Sequence, residues 1–224
     1  MKYLAVMLIG LFSVQMAGQK ITHDLGNFTG IKVYDGVEVT LIKGDQNRAV
    51  ITGSNRDEVE FKLDDGTLKI KMSIDNIWDD DDNTVVNLYY KKVDRIEAIQ
   101  GTSVKVKDKM KQDRLHLETQ EGADIFAEIN VETLTSKCLT GGEIEVSGKA
   151  DLQEVTIRAG GKYYAKNLNS NQVDISISAG GVADITAKKA VNAKVRAGGT
   201  VNVYGNPEVI DKNTLFGGNI NRKN

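Results

Sequence analysis

The chain of 224 residues contains one cysteine, one proline and two histidines. The single thiol, Cys138, excludes an intramolecular disulfide, so stability must come from a core or from stacked repeats. About 200 residues suffice for that without staples. Glycine is abundant, at 22 residues. A Gly-rich disordered linker would bring proline and serine with it and would lack the regular Val/Ile spacing found here, so the glycine belongs to an architecture. Charge of one sign is also missing: 29 Lys and Arg face 31 Asp and Glu, for a formal net charge of -2. No Lys/Arg run in the mature part exceeds two residues, which excludes an electrostatic surface for nucleic acid. His23 and His116 are not arranged with a Ser or Cys nucleophile, so no hydrolase triad is expected.

Long apolar runs are absent except at the start, where Lys2 precedes Leu4 to Val14 and then Ala17 and Gly18. This layout reads as a secretory signal peptide over residues 1–19. The run is too short for a membrane span, which needs about 20 apolar residues. No cysteine stands near the cut, which excludes a lipoprotein anchor. The protein is therefore expected to be exported, to the periplasm, the outer-membrane surface or the medium, with no transmembrane segment in the mature chain.

What the sequence does have is a glycine repeat. Gly101, Gly122, Gly141, Gly160, Gly180, Gly198 and Gly217 follow one another at steps of 21, 19, 19, 20, 18 and 19 residues. Three of them stand in the triplet Ala-Gly-Gly. Core-type residues recur three positions after each Gly and five after all but the last, as at Ile144 and Val146 or Val201 and Val203, and three before it, at Ala98, Thr119, Cys138, Ile157, Ile177, Val195 and Thr214. Polar residues alternate with them, which is the period of a half-buried strand. Self-similarity at this period predicts a solenoid. We expect an all-β, single-stranded parallel β-helix of about 19 residues per turn, with each Gly at a corner where positive φ or close backbone approach is needed. A phosphate-cradling loop would require a helix after the Gly, and a strand follows each one. The unequal steps depart from the strict six-residue units of left-handed β-helices, and parallel crossovers favour the right hand, so a right-handed helix is expected.

Residues 20–224 are read as one β-helix domain, irregular over 20–93 and regular over 94–221. In the first part, "TGIKVYDGVEVTLIKGD", "AVITGSN", "VEFKLDDGTLKIKMS" and "TVVNLYYKK" read as strands broken by turns. Gly36 repeats the offsets of the later glycines, with Val39 and Leu41 after it. It precedes Gly101 by 65 residues, room for about three turns and an insertion.

The "FTGIKVYDGVEVTLIKGD" opening, "DGTLKIK", "IEAIQGTSVKV", the Gly corners and the closing "GGNIN" together resemble the head GIN domain family of autotransporter adhesin heads, over roughly residues 28–221. That resemblance implies a β-helical fold, a Gram-negative envelope or surface location and an adhesive role. The chain departs from an autotransporter in that Asn224 leaves no room for a membrane barrel.

Candidate chemistry is sparse. An outward row of Arg158, Ser178 and Arg196 could bind an acidic sugar. A second outward set holds Asp124, Glu145, Tyr164, Asp184 and Asn202, in which Tyr164 is the exposed partner of a core Tyr163. The segment "IDNIWDDDDNT" offers Asp79, Asp80, Asp81 and Asp82 as candidate calcium ligands, although it lacks the Gly and Glu of a calcium loop. Trp78 beside them is a lid over the first turns or a sugar-stacking surface. No other cofactor is expected. Cys138 should be a buried small hydrophobe. These features point to an exported, non-enzymatic binding module for a surface glycan or protein, with Trp78, Tyr164, Arg158 and Arg196 as candidate contacts. A polysaccharide-active enzyme is the alternative. A structural protein self-associating through its end turns, with "NRKN" as a charged cap, is the third reading.

Overall fold

The computed structural model describes residues 20–73 and 83–223. They form a β-solenoid of about 7 turns, with roughly 19 residues per turn. The first strands in chain order are β1 (Ile21–Asp24), β2 (Gly30–Val33), β3 (Glu38–Lys43), β4 (Arg48–Thr52), β5 (Val59–Asp64), β6 (Thr67–Met72) and β7 (Val85–Tyr90). Then come β8 (Arg95–Ile99), β9 (Ser103–Val106), β10 (Met110–Gln120), β11 (Asp124–Leu139), β12 (Glu143–Arg158), β13 (Lys162–Ser178) and β14 (Val182–Arg196). The chain closes with β15 (Thr200–Tyr204), β16 (Val209–Leu215) and β17 (Asn219–Arg222). From β8 onward every pairing is parallel and joins successive coils: Ile125 stands beside Ile144, Ile144 beside Tyr163, and Tyr163 beside Ala183.

Each corner is a tight turn with two successive residues at positive φ. The first, at Asp35, Gln100, Glu121, Thr140, Ala159, Ala179, Ala197 and Phe216, has φ between 48° and 62°; the glycine after it has φ between 68° and 87°. That is the φ pair of a type I′ turn. Corners hydrogen-bond to the next coil, as when Gly141 donates to the Ala159 carbonyl at 3.1 Å. The repeat thus puts Gly second in the turn and tolerates several residues first.

The second glycine of Ala-Gly-Gly has a different cause. Successive coils place Thr102, Ala123, Gly142, Gly161, Gly181 and Gly199 just after the corner. A Cβ on Gly181 would lie 2.6 Å from Ile157 Cγ2, and one on Gly199 would lie 2.7 Å from Ile177 Cγ2. The corner glycines themselves have nothing within 4 Å of such a Cβ. Where the preceding coil fills the corner with Ala98, the next coil has room for Ala123. Where it fills it with Ile157 or Ile177, only glycine fits.

The first coils are not laid down in sequence order. Strand β2 lies between β6 and β8, and β3 lies between β7 and β9, all parallel. Gly36 donates to the Gln100 carbonyl at 2.9 Å. The expected three turns between Gly36 and Gly101 are therefore not there; the two glycines belong to adjacent coils. The intervening chain builds the outer coil from β6 and β7. It also runs antiparallel strands over that end, β5 on β6 and β4 on β7, with β1 on β4. Reversed strands stop the parallel rise and cover its edge.

Inside, the columns are dry and apolar, with Ile31, Ile96, Leu117, Ile157, Ile177 and Val195 fully buried. Buried polar side chains interrupt them in places, as at Thr119 and Ser136, and three residues form a bonded group. Tyr163 donates to Gln153 Oε1 at 2.7 Å, and Gln153 Nε2 donates to Ser170 Oγ at 2.6 Å, all three buried.

The last coil breaks the pattern. Lys212 takes the position held by Ala193 one coil earlier and Ile175 before that, and Thr214 takes that of Val195. Thr214 is therefore exposed rather than inward-buried as its spacing suggests. Lys212 Nζ donates to the Ile220 carbonyl at 3.0 Å. The ammonium thus ties β16 to β17, an inward-pointing charge of the kind that blocks edge-to-edge stacking. In "NRKN", Arg222 bonds back to the Pro207 carbonyl at 2.6 Å.

Candidate functional site

The parallel register turns each sequence offset into a straight outward column running along the solenoid. Four residues past the corner glycine, the column reads Lys105, Phe126, Glu145, Tyr164, Asp184, Asn202 and Asn221. Phe126 and Tyr164 are half-buried, two coils apart, with Glu145 between them. Beyond Tyr164 the column becomes a hydrogen-bonded ladder. Asn202 Nδ2 donates to Asp184 Oδ1 at 2.8 Å, and Asn221 Nδ2 donates to Asn202 Oδ1 at 3.1 Å. A shallow groove of about 250 Å³ lies at the Phe126 end, lined by Lys105, Phe126, Glu128, Glu145 and Ser147 among others. An aromatic face with carboxylates, an ammonium and a hydroxyl around it can stack on one side of a ring and hydrogen-bond its substituents.

Tyr164 was legible in the sequence, since its neighbour Tyr163 had to face inward. Phe126 was not singled out there, although it stands at the same offset from Gly122 as Tyr164 does from Gly160. Asp124 falls outside this column. It lies in the adjacent one, in register with Glu143, which is in register with Lys162. Burial, then the charge of Glu143, pushes the Asp124 carboxyl above its usual range. Lys162 Nζ lies 3.2 Å from Glu143 Oε2.

The arginine row also forms as its spacing implies. Arg158, Ser178 and Arg196 stand in register on successive coils, and both arginines are exposed. This row precedes the corner and Tyr164 follows it, so the sequence's candidate contacts lie on two sides of the solenoid and do not form one pocket. Trp78 and Asp79 to Asp82 lie outside the described residues. Among the described residues no group of three His, Cys, Asp or Glu is placed to hold a metal ion.

Three further titratable groups have structural surroundings. Cys138 is buried between Thr119 and Ile157, and burial pushes its thiol up to about 12, so it is held as an unreactive thiol. Glu118 accepts from Gln120 at 2.7 Å and from Lys137 at 3.2 Å, with His116 Nε2 at 3.3 Å. Burial opposes its ionisation, yet the Lys137 and His116 bonds outweigh it and hold the carboxyl below its usual range. Burial likewise lowers His116, with Lys137 and Arg95 adding to it against Glu118.

Residues 27–207 match the model of the family described as "Putative auto-transporter adhesin, head GIN domain". Among solved structures, the chain is similar to a putative adhesin from Bacteroides fragilis, with a TM-score of 0.82 and 17% identity over 92% of this chain and 97% of that one. A putative adhesin from Parabacteroides merdae gives 0.72 at 17% identity, over 92% and 96%. A putative lipid binding protein from Parabacteroides distasonis gives 0.66 at 16% identity, over 93% and 98%. At these identities the likeness shows the fold alone, and the printed descriptions differ while the fold does not. No curated protein matches. No helix among the described residues is long and apolar enough to cross a membrane.

Proposed function

The chain belongs to the head GIN domain family, and on that premise we infer that it is an exported, non-catalytic binding module of the bacterial envelope or surface. Its ligand is a surface glycan, taken along the column that holds Phe126, Glu145 and Tyr164. The observation that carries this reading is the pair of half-buried aromatics facing outward two coils apart with a carboxylate between them. Most outward positions of the solenoid are polar, and a polar position needs no aromatic to keep a surface soluble. Stacking on Phe126 and Tyr164 would supply contact area, while Glu145, Ser147 and the Asp184–Asn202 ladder would supply hydrogen bonds. A protein partner would use the same column as a flat polar strip.

One observation favours a polysaccharide-active enzyme as the second reading: Asp124 and Glu143 stand in register with one carboxyl titrating high, a pattern shared with acid/base pairs. Against it, the pair does not line the Phe126 groove, and Lys162 is salt-bridged to Glu143. The test is a glycan array with the purified chain, with and without calcium, together with a reducing-end assay on every glycan bound. Binding lost in Tyr164→Ala and Phe126→Ala, with no new reducing ends, supports the binding module. Turnover abolished by Asp124→Asn supports the enzyme. Binding that needs calcium would bring in Asp79 to Asp82 as candidate ligands.

A further inference from the structure

The last corner carries a residue that none of the others does. Phe216 occupies the first turn position, with φ 56°, where earlier coils place Asp35, Gln100, Glu121, Thr140 and three alanines. A bulky aromatic at positive φ is an outlier, and burial gives it nothing here, because its side chain is 84% exposed. Leu215 beside it is 48% exposed. Local folding therefore does not account for either residue, and an apolar tip standing in water calls for a partner.

Charge says what kind of partner. From Arg158 to the end the chain has ten Lys and Arg against four Asp and Glu, although the whole chain has 29 against 31. Two of these cations lie beside the tip. Arg196 is in register with Leu215, and Lys194 is two residues along the same strand; both are exposed. Neither makes an ion pair among the described residues. Lys212, held at the Ile220 carbonyl, and Lys223, just past β17, lie farther along the closing coil. Asp211, the acid of β16, lies five residues before Phe216, roughly 16 Å away by strand rise, and Glu208 lies farther still.

We propose that the Leu215–Phe216 tip docks the protein on an anionic lipid surface, the two apolar side chains entering the headgroup region and Arg196 and Lys194 meeting the lipid phosphates. An apolar tip flanked by unpaired cations is the chemistry of interfacial anchoring. A second copy of the chain is a poorer occupant, since it would bring the same cations against these. Docking by this end would leave the Phe126–Tyr164 column, which runs along the side of the solenoid, free for a ligand.

The experiment is co-sedimentation of the full chain with vesicles of phosphatidylcholine alone and of phosphatidylcholine with an equal share of phosphatidylglycerol, at low and high salt. The result expected is binding to the anionic vesicles that weakens with salt. Phe216→Asn should reduce the partition at least tenfold, and Arg196→Gln should reduce it about fivefold. Asn suits the turn at positive φ, so Phe216→Asn should keep or raise the unfolding midpoint, and its loss of binding would not be a loss of fold. No binding to anionic vesicles would overturn the proposal, as would binding unchanged in Phe216→Asn. Wild-type dimers that become monomers in Phe216→Asn would overturn it in favour of a second copy.

Discussion

Lys212 stands in register with Ala193 and, from that core position, reaches across the end of the solenoid to donate to the Ile220 carbonyl at 3.0 Å. Below it the same column is apolar, from Ala193 through Ile175 and Val155 to Leu117, apart from Ser136. A parallel solenoid has no intrinsic last coil, because each turn presents the edge needed by the next. One inward lysine makes a further apolar coil costly.

Lys212→Leu should therefore convert the capped end into a sticky one. Sedimentation velocity over a range of concentrations is expected to show association in this variant beyond that of the wild type, and none beyond it in Lys212→Arg. Identical behaviour of Lys212→Leu and wild type would remove the capping role.

The two glycines of the corner should respond differently to alanine. At Gly180 only the positive φ is at stake, since the space beside it is open, and Gly180→Ala should cost about 1 kcal/mol. At Gly181 a Cβ meets Ile157 Cγ2 at 2.6 Å and the Gly161 carbonyl at 2.8 Å. Gly181→Ala should cost about 3 kcal/mol or more. Urea unfolding of both variants checks the contrast; equal costs would contradict the packing account of the second glycine.

Tyr163→Phe removes the donor to the buried Gln153 Oε1 and should destabilise by about 1–2 kcal/mol, read by the same urea titration. Adding Gln153→Leu should cost less than the sum of the two single changes, because the Gln153 oxygen that Tyr163→Phe leaves unpaired is removed with it. Strict additivity would mean that the bond contributes nothing specific.

Acid should weaken the fold through Glu118 and His116, both of which titrate lower in the folded chain than usual. For a group with a depressed pKa the unfolded state binds more protons, so stability is full above the unfolded pKa and falls as pH drops through the folded one. For His116 that decline begins below about pH 6.5, and for Glu118 below about pH 4.3. Asp124 acts with the opposite sign, its raised pKa favouring the fold at low pH. Thermal unfolding from pH 7 down to pH 3 should show a shallower decline in Glu118→Gln. A decline as steep as in the wild type would exclude Glu118 as a source.

How far could these features be read from the residues alone? The glycine column gave away the coil, because each corner needs positive φ and only glycine supplies it cheaply. The alternation around it placed Tyr163 and Cys138 inside and Tyr164 and Arg158 outside. The order of the first coils was not legible. Nothing in the spacing of Gly36 and Gly101 tells that β6 and β7 pass outside β2 and β3 instead of between them and β8. That choice depends on pairings between strands far apart in the chain. The second glycine of each triplet was also opaque, since its reason lies in the preceding coil: the Cys138 carbonyl for Gly161, and Ile157 and Ile177 for Gly181 and Gly199, which also have positive φ. Phe126 could have been found by its offset from Gly122. The end cap could have been found by noticing a lysine at a core offset.

The central claim, that this solenoid binds a glycan along its Phe126–Tyr164 column, is tested most directly by measuring binding of the wild type, Tyr164→Ala and Phe126→Ala to a glycan array at matched stability. The account predicts specific binding in the wild type that falls about tenfold or more in either variant, since one stacked aromatic is worth roughly 1.5–3 kcal/mol. Binding undiminished by both substitutions, or no binding to any glycan, would contradict it.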